Sequence, residues 1–321
     1  MPIITPSPYR PPALLGNPHL QTICPTLFRR VSGVRYRRER IFTPDGDFID
    51  LDWSAAGADR LAIVLHGLEG DAHRHYMRGM VRAFNRRRWD ALAFNFRGCS
   101  GEPNRLPRSY HSGATEDLDT VLGHVLAGNR YRRIALVGFS LGGNLTLRYL
   151  GEKGRGISPF ISRAAAISVP CDLASSSRRL AEPANAVYMK RFLLLFRAKI
   201  RAKVALMPDR ISDAGFETIR NFKDFDDRYT APLHGFRDAE DYWARCSAGP
   251  LLPEVQVPTL VLSALDDPFL PPECYPVAAA RANPRLFLEM PAAGGHVGFI
   301  HFRRDGEFWH ETRVADFATA D

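Results

Sequence analysis

Ile134-Ala-Leu-Val-Gly138-Phe-Ser140-Leu-Gly142-Gly143-Asn144 is the stretch from which the rest of the chain can be read. Its aliphatic run is too short for a helix and stops at glycine, so it reads as a fully buried strand, and helical spacing takes over in Leu145-Thr-Leu-Arg-Tyr-Leu150. Ser140 therefore stands at a strand-to-helix turn. Gly138-x-Ser140-x-Gly142 is the G-x-S-x-G pattern, in which small neighbours let the chain bend sharply and hold the serine strained with its hydroxyl exposed. The N–H groups that open the following helix face the place where negative charge develops when that hydroxyl attacks a carbonyl. A glycine-flanked serine in an ordinary turn is the plainer alternative; a strand before it and a helix after it favour a nucleophile.

Outward from this turn, strands expected over 61–65, 91–96, 164–169, 259–263 and 286–289 alternate with helices around 77–84 and 116–126. Strands that are apolar on both sides, separated by amphipathic helices, imply an α/β fold with a mainly parallel central sheet and helices on both faces. Residues 36–42 and 48–53 bracket Thr43-Pro-Asp-Gly46, a turn signal that predicts an antiparallel hairpin at the sheet edge. The N-terminal segment, residues 1–35, is proline-rich to about Thr26 and is expected to run extended, with Asn17-Pro-His-Leu-Gln-Thr-Ile23 as a polar interruption. Residues 173–249 break the alternation with long helical patterns and read as an inserted helical cap within a single domain over 1–321. In that cap Phe192-Leu-Leu-Leu-Phe196, flanked by Lys190, Arg191, Arg197, Lys199, Arg201 and Lys203, predicts a cationic amphipathic helix. A packed helix with snorkelling basic side chains is the ordinary explanation, and peripheral contact with a lipid surface is the alternative. A last helix is expected over 299–317.

With 321 residues, 45% of them hydrophobic, the chain can bury one large core. Its formal charge of +8 comes mostly from scattered arginines, with no basic tail or nucleic-acid motif, so no nucleic-acid partner is expected. Cys24, Cys99, Cys171, Cys246 and Cys274 form no C-x-x-C pair and suggest no disulfide framework, which favours a reducing compartment. With neither a signal-peptide pattern nor an apolar span long enough for a membrane helix, a cytoplasmic protein is expected.

A serine hydroxyl becomes a useful nucleophile when an imidazole takes its proton, and that imidazole needs a carboxylate to hold its tautomer. In folds of this type the chain order is serine, acid, histidine. Asp266-Asp267-Pro268 follows the strand over 259–263, and Gly294-Gly295-His296 follows the one ending near Glu289. His296 is the expected base and Asp267 the expected acid, with Asp266 as runner-up. The oxyanion donors are expected to be the amides of Leu141 and, in His66-Gly-Leu-Glu-Gly70, of Leu68. His66 reads as a loop organiser, and the spacing of His66 and Asp71 is a weak acyltransferase sign. Arg97 reads as structural, and Ser112 or Thr115 as a helix cap. His301 and His310 read as structural members of the last helix. No zinc, nucleotide or dinucleotide motif is present, so no cofactor or metal is implied.

Taken together, these segments resemble the YheT-like branch of the α/β-hydrolase superfamily, which also holds the mammalian α/β-hydrolase-domain lipid esterases. The likeness runs through Asn17-Pro-His-Leu-Gln-Thr, His66-Gly-Leu-Glu-Gly, Asn95-Phe-Arg-Gly-Cys-Ser-Gly, Tyr110-His-Ser-Gly, the Ser140 turn, Phe225-Asp-Asp-Arg-Tyr-Thr-Ala-Pro-Leu-His-Gly-Phe236, Leu265-Asp-Asp-Pro-Phe and Gly294-Gly-His-Val-Gly-Phe. The resemblance implies the α/β-hydrolase fold, a relay of Ser140, one aspartate of the 266–267 pair and His296, and hydrolysis of carboxylic esters. Short-chain or acylglycerol-type lipid esters are the expected substrates. Acyl transfer by the same residues, or ligand binding on a hydrolase scaffold, are the rival readings.

Overall fold

The computed structural model describes residues 2–320; Met1 and Asp321, the ends of the domain expected over 1–321, lie outside the described residues. Among the described residues nine strands form one sheet: β1 (Ile3–Ile4), β2 (Arg37–Phe42), β3 (Phe48–Ser54), β4 (Arg60–Leu65), β5 (Asp90–Phe94), β6 (Arg133–Phe139), β7 (Ile161–Ile167), β8 (Thr259–Leu262) and β9 (Leu286–Glu289). They stand in the order β1-β9-β8-β7-β6-β4-β5-β3-β2. β3 runs antiparallel to both β2 and β5, and every other neighbouring pair is parallel.

The helices are α1 (Pro18–Phe28), α2 (His75–Arg86), α3 (Thr115–Ala127), α4 (Leu141–Lys153), α5 (Leu173–Leu180), α6 (Ala186–Leu206), α7 (Phe222–Phe225), α8 (Ala231–His234), α9 (Ala239–Cys246), α10 (Val277–Ala282) and α11 (Trp309–Thr319). Because side chains alternate across a strand, Leu61, Ile63 and Leu65 of β4 join a core shared with α3 and α4, while Ala62 and Val64 join a second core with α2 and α11. Ile134 and Leu136 of β6 face the first core and Ala135 and Val137 the second, so the sheet is covered on both faces. Each large aliphatic side chain buried this way contributes roughly 1.5–3 kcal/mol.

Helices α5 to α9 all lie between the adjacent strands β7 and β8. This insert has an apolar cluster of its own, with Phe196, Ile200, Ile211, Phe216, Ile219 and Tyr229 buried together. No described helix is long and apolar enough to cross a membrane.

In its elements and their caps the structure departs from the sequence reading in four places. The segment 1–35 is not extended throughout: α1 forms because Asn17 Oδ1 accepts the N–H groups of His19 and Leu20 (2.9 and 3.2 Å) and Pro18 sits in the first turn, where no N–H is needed. Residues 299–308 are not helical, since Phe299 has φ 44° and Gly306 φ 70°, and Asp305 folds back to accept the Glu307 N–H (2.9 Å); His301 thus lies outside α11. Neither Ser112 nor Thr115 caps α3. Ala114 occupies that position, Ser112 Oγ accepts from Tyr242, and the Thr115 hydroxyl donates to Glu152. Lastly, β1 adds a parallel strand beyond β9, where two residues were too few to show a period.

Candidate active site

The turn after β6 has the geometry its glycines suggest. Ser140 has φ 52° and ψ −115°, a conformation costly for a residue with a side chain, and its N–H is fastened to Ile167 O of β7 (2.8 Å). A Cβ on Gly142 would stand 2.5 Å from His66 O, and one on Gly138 would collide with the Gly142 carbonyl. The end of β4 and the start of α4 therefore pass at backbone contact, and the serine is lifted at their crossing.

Three separate loops converge on that serine. His296 Nε2 lies 3.0 Å from Ser140 Oγ, and His296 Nδ1 lies 2.9 and 3.1 Å from the two carboxylate oxygens of Asp267. The carboxylate requires Nδ1 to carry the hydrogen, which leaves the Nε2 lone pair to accept the serine proton. The Asp267 side chain has no solvent exposure and also accepts the Phe269 N–H (2.9 Å). Asp266 points elsewhere: its Oδ1 accepts the Gly295 N–H (2.9 Å), so it shapes the histidine loop and makes no contact with the imidazole.

That loop is gripped by two side chains that were not among the expected site residues. Thr22 Oγ1, on α1, accepts the His296 N–H (2.9 Å), and Ser168 Oγ accepts the Val297 N–H (2.9 Å). The cap-and-proline pair Asn17-Pro18 was the signal that marked a helix there.

On the other side of Ser140 runs the loop after β4, so close that a Cβ on Gly67 would lie 3.2 Å from Ser140 Cβ. His66 organises it: the buried ring donates from Nδ1 to Gly67 O (2.7 Å) and accepts the Phe96 N–H at Nε2 (3.1 Å). Burial pushes its pKa down to about 3, so it stays neutral. The Gly67 N–H goes to Tyr76 Oη (3.1 Å) and the Glu69 N–H to Tyr110 Oη (2.8 Å). Among the described residues, no acceptor takes the N–H of Leu68 or of Leu141, the first residue of α4. Arg97 is structural, clamped bidentately on buried Asp117 and reaching Asp45 (2.8 Å). Cys99 Sγ accepts a hydrogen bond from Lys199 Nζ (3.2 Å), and burial is the largest of the causes that push its thiol up to about 11.

A family model described as alpha/beta hydrolase fold matches residues 63–302. The chain belongs to the α/β-hydrolase family. Within it the chain falls in the YheT-like branch: it is 38% identical over 312 residues to YheT of Escherichia coli (strain K12), a protein provisionally named an esterase, covering 95% of this chain and 91% of that protein. It is 31% identical over 309 residues to the protein of Mus musculus named phospholipase ABHD3, covering 93% of this chain and 74% of that one. A solved structure of the same fold, the Pyrococcus furiosus esterase Pf2001, superposes with a TM-score of 0.58 at 19% identity, covering 90% of this chain and 95% of that one.

In this α/β-hydrolase, two hollows meet at Ser140 and His296. One is a cavity of about 140 Å³ that runs under the insert, walled by Phe192, Phe196, Phe222, Phe225 and Leu233. The other is a wider cleft of about 700 Å³ between α1, the start of α2 and α6. Asn144, the last residue of the stretch quoted first, closes the insert onto the scaffold, donating to Ser112 O and Cys246 O and accepting the Ala248 N–H.

Two basic residues of α6 turn inward where snorkelling was expected. Lys199 Nζ meets Glu69 Oε1 (2.7 Å), and that carboxylate also accepts from Tyr110 Oη (2.8 Å). Lys203 Nζ is surrounded by the carbonyls of Leu106, Pro107 and Arg108 (2.7, 2.8 and 2.9 Å). The segment 225–236, for which the sequence offered no chemical role, lines the narrow cavity with Phe225, Asp226, Tyr229, Thr230, Leu233 and His234. It contains a π-helical turn, Asp226–Thr230, of a kind that recurs at functional sites. Asp226 accepts from Thr230 Oγ1 (2.6 Å) and Trp243 Nε1 (2.8 Å); it has no ion pair among the described residues, and burial pushes its carboxyl up to about 7.

Proposed function

We propose that this chain is a serine hydrolase that cleaves carboxylic esters through an acyl-enzyme on Ser140. What supports the reading above all is the unbroken relay from Asp267 through His296 to Ser140, with the two imidazole nitrogens 2.9 and 3.0 Å from their partners. Ser140 Oγ attacks the ester carbonyl as His296 takes its proton; the imidazolium, steadied by Asp267, then protonates the departing alcohol. Water, deprotonated by the same histidine, releases the acid and restores the serine. The amides of Leu68 and Leu141 hold the oxyanion, a contribution typically worth about 100- to 1000-fold in rate for each donor.

The insert serves as a cap over the acyl site. A hollow of about 140 Å³ matches in size the engineered apolar cavities that take a benzene-sized guest, so the acyl group it suits is short, on the order of six carbons. Ester substrates, including acylglycerol-type ones, would place this group under the insert and the alcohol in the wider cleft.

Purified protein should turn over p-nitrophenyl butyrate and be labelled by a fluorophosphonate. Ser140→Ala should lose both, while keeping its thermal unfolding curve. Turnover retained by that variant would remove Ser140 from the mechanism.

A further inference from the structure

The wide cleft differs from the acyl cavity in charge as well as width. Arg29, Arg30, Arg74, Arg78 and Arg191 line it, and among the described residues Glu69 is its only acidic wall residue. That carboxylate is committed to Lys199 (2.7 Å) and offsets none of them. Two of the arginines are balanced by acids behind the wall: Arg29 by Glu311 (2.6 Å) and Arg74 by Asp71 (3.6 Å). The other three are not. Arg78 spends Nε and Nη2 on the carbonyls of Val31 and Val34 (3.1 Å each), which orients the guanidinium without cancelling its charge. Arg30 and Arg191 are exposed and have no ion pair among the described residues. The cleft thus carries three uncompensated guanidinium groups and opens directly on Ser140 and His296.

Resting on the hydrolase reading, we propose that this cleft binds an anionic phosphate group on the alcohol portion of the ester. Arg30 and Arg191 hold it at the rim and Arg78 from the wall. Guanidinium groups suit phosphate because their planar donors match its oxygens and their charge does not titrate away. The acyl group then lies in the apolar cavity and the phosphate-bearing alcohol opposite it, with the ester bond between them at the serine. Exposed Val187 and Leu27, beside the same opening, leave two sources for such a group, a soluble phosphate ester or the headgroup of a phospholipid that carries a short acyl group.

The test is a pair of esters with the same butyryl group, one of glycerol and one of glycerol 3-phosphate. At low salt kcat/KM should be at least tenfold higher for the phosphorylated ester, and in the Arg30→Ala/Arg191→Ala double variant that ratio should fall toward one. Because both residues are exposed, the variant should fold. Calorimetry on Ser140→Ala protein separates binding from chemistry: glycerol 3-phosphate should bind and glycerol should not, whether or not the wild type hydrolyses either ester. Sedimentation with vesicles of pure phosphatidylcholine or with added phosphatidylglycerol identifies the source. Anion-dependent binding that the double variant loses marks a lipid headgroup, and a preference confined to the dissolved ester marks a free phosphate ester. Turnover of neither ester sinks the hydrolase reading alone. Equal turnover of the two esters, with no glycerol 3-phosphate binding and no vesicle selectivity, sinks the anion site alone.

Discussion

The scaffold around Ser140 and the insert above it solve the same problem, holding groups at a fixed place, by opposite means. On the scaffold side the crossing at Ser140 is held by backbone, since β4 and α4 touch where Gly142 leaves no room for a Cβ, and its loops hang mostly on the hydroxyls of Thr22, Ser168 and Tyr76, with the Asp266 carboxylate as one ionisable anchor. On the insert side the fixed points are ionisable groups taken out of water: Lys199 on Glu69, Lys203 among three carbonyls, Asp226 between Thr230 and Trp243. Contact between backbones is indifferent to pH and salt, whereas buried charge is not. The backbone at the proposed nucleophile is thus held where conditions barely perturb it, and the wall of the acyl cavity where they do.

The sharpest test of this contrast lies within the relay. Asp267→Asn should lower kcat by about 10⁴-fold, because the amide favours the wrong imidazole tautomer, while Asp266→Asn should cost less than tenfold. Equal losses in steady-state assays would erase the distinction drawn between them. Next in size, Gly142→Ala should destabilise the fold by roughly 1–3 kcal/mol as overpacking at the crossing, read as a shift in denaturant midpoint that is the same at pH 6 and pH 8.

Effects on the insert should be smaller and should depend on conditions. Lys199→Met strands the Glu69 carboxylate beside the Leu68 amide, so kcat should fall about tenfold with KM little changed, and Lys199→Arg should restore part of it. A loss as deep as that of Asp267→Asn would mean the insert belongs to the catalytic half. The smallest effect concerns Asp226, whose native carboxyl is raised from its ordinary 3.8 to about 7, chiefly by burial. Between those two values the native state keeps a proton that the unfolded chain has released, so the stability this group adds is full below pH 4 and lost as pH rises through 7. Wild type and Asp226→Asn should melt together at pH 4, and the variant should melt a few degrees higher at pH 8. Parallel melting curves across that range would show that the insert is held by shape alone.

How much could be read beforehand follows the same division. The strands announced themselves because residues buried on both faces leave continuous apolar runs, and Ser140, Asp267 and His296 stood at strand ends in a recognisable order. Helix α1 was obscured because prolines at 18 and 25 look like breakers, although Pro18 is harmless at a first turn and Asn17 caps it. Residues 299–308 looked helical from their composition, but turn chemistry at Asp305-Gly306 prevailed. Partnerships such as Lys199 with Glu69, separated by 130 positions, leave no local period at all. A lysine bound for solvent and one bound for a buried carboxylate are spelled alike.

The grip of α1 on the histidine loop also sets a schedule. Thr22 and His296 are 274 positions apart, an interval that takes a ribosome roughly 14–55 seconds to translate. Over the last 156 of those positions a nascent polypeptide holds Ser140 without the imidazole that comes to lie beside it, and the clasp closes only when late residues reach early ones. The proposed base is thus the last member of the relay to be made.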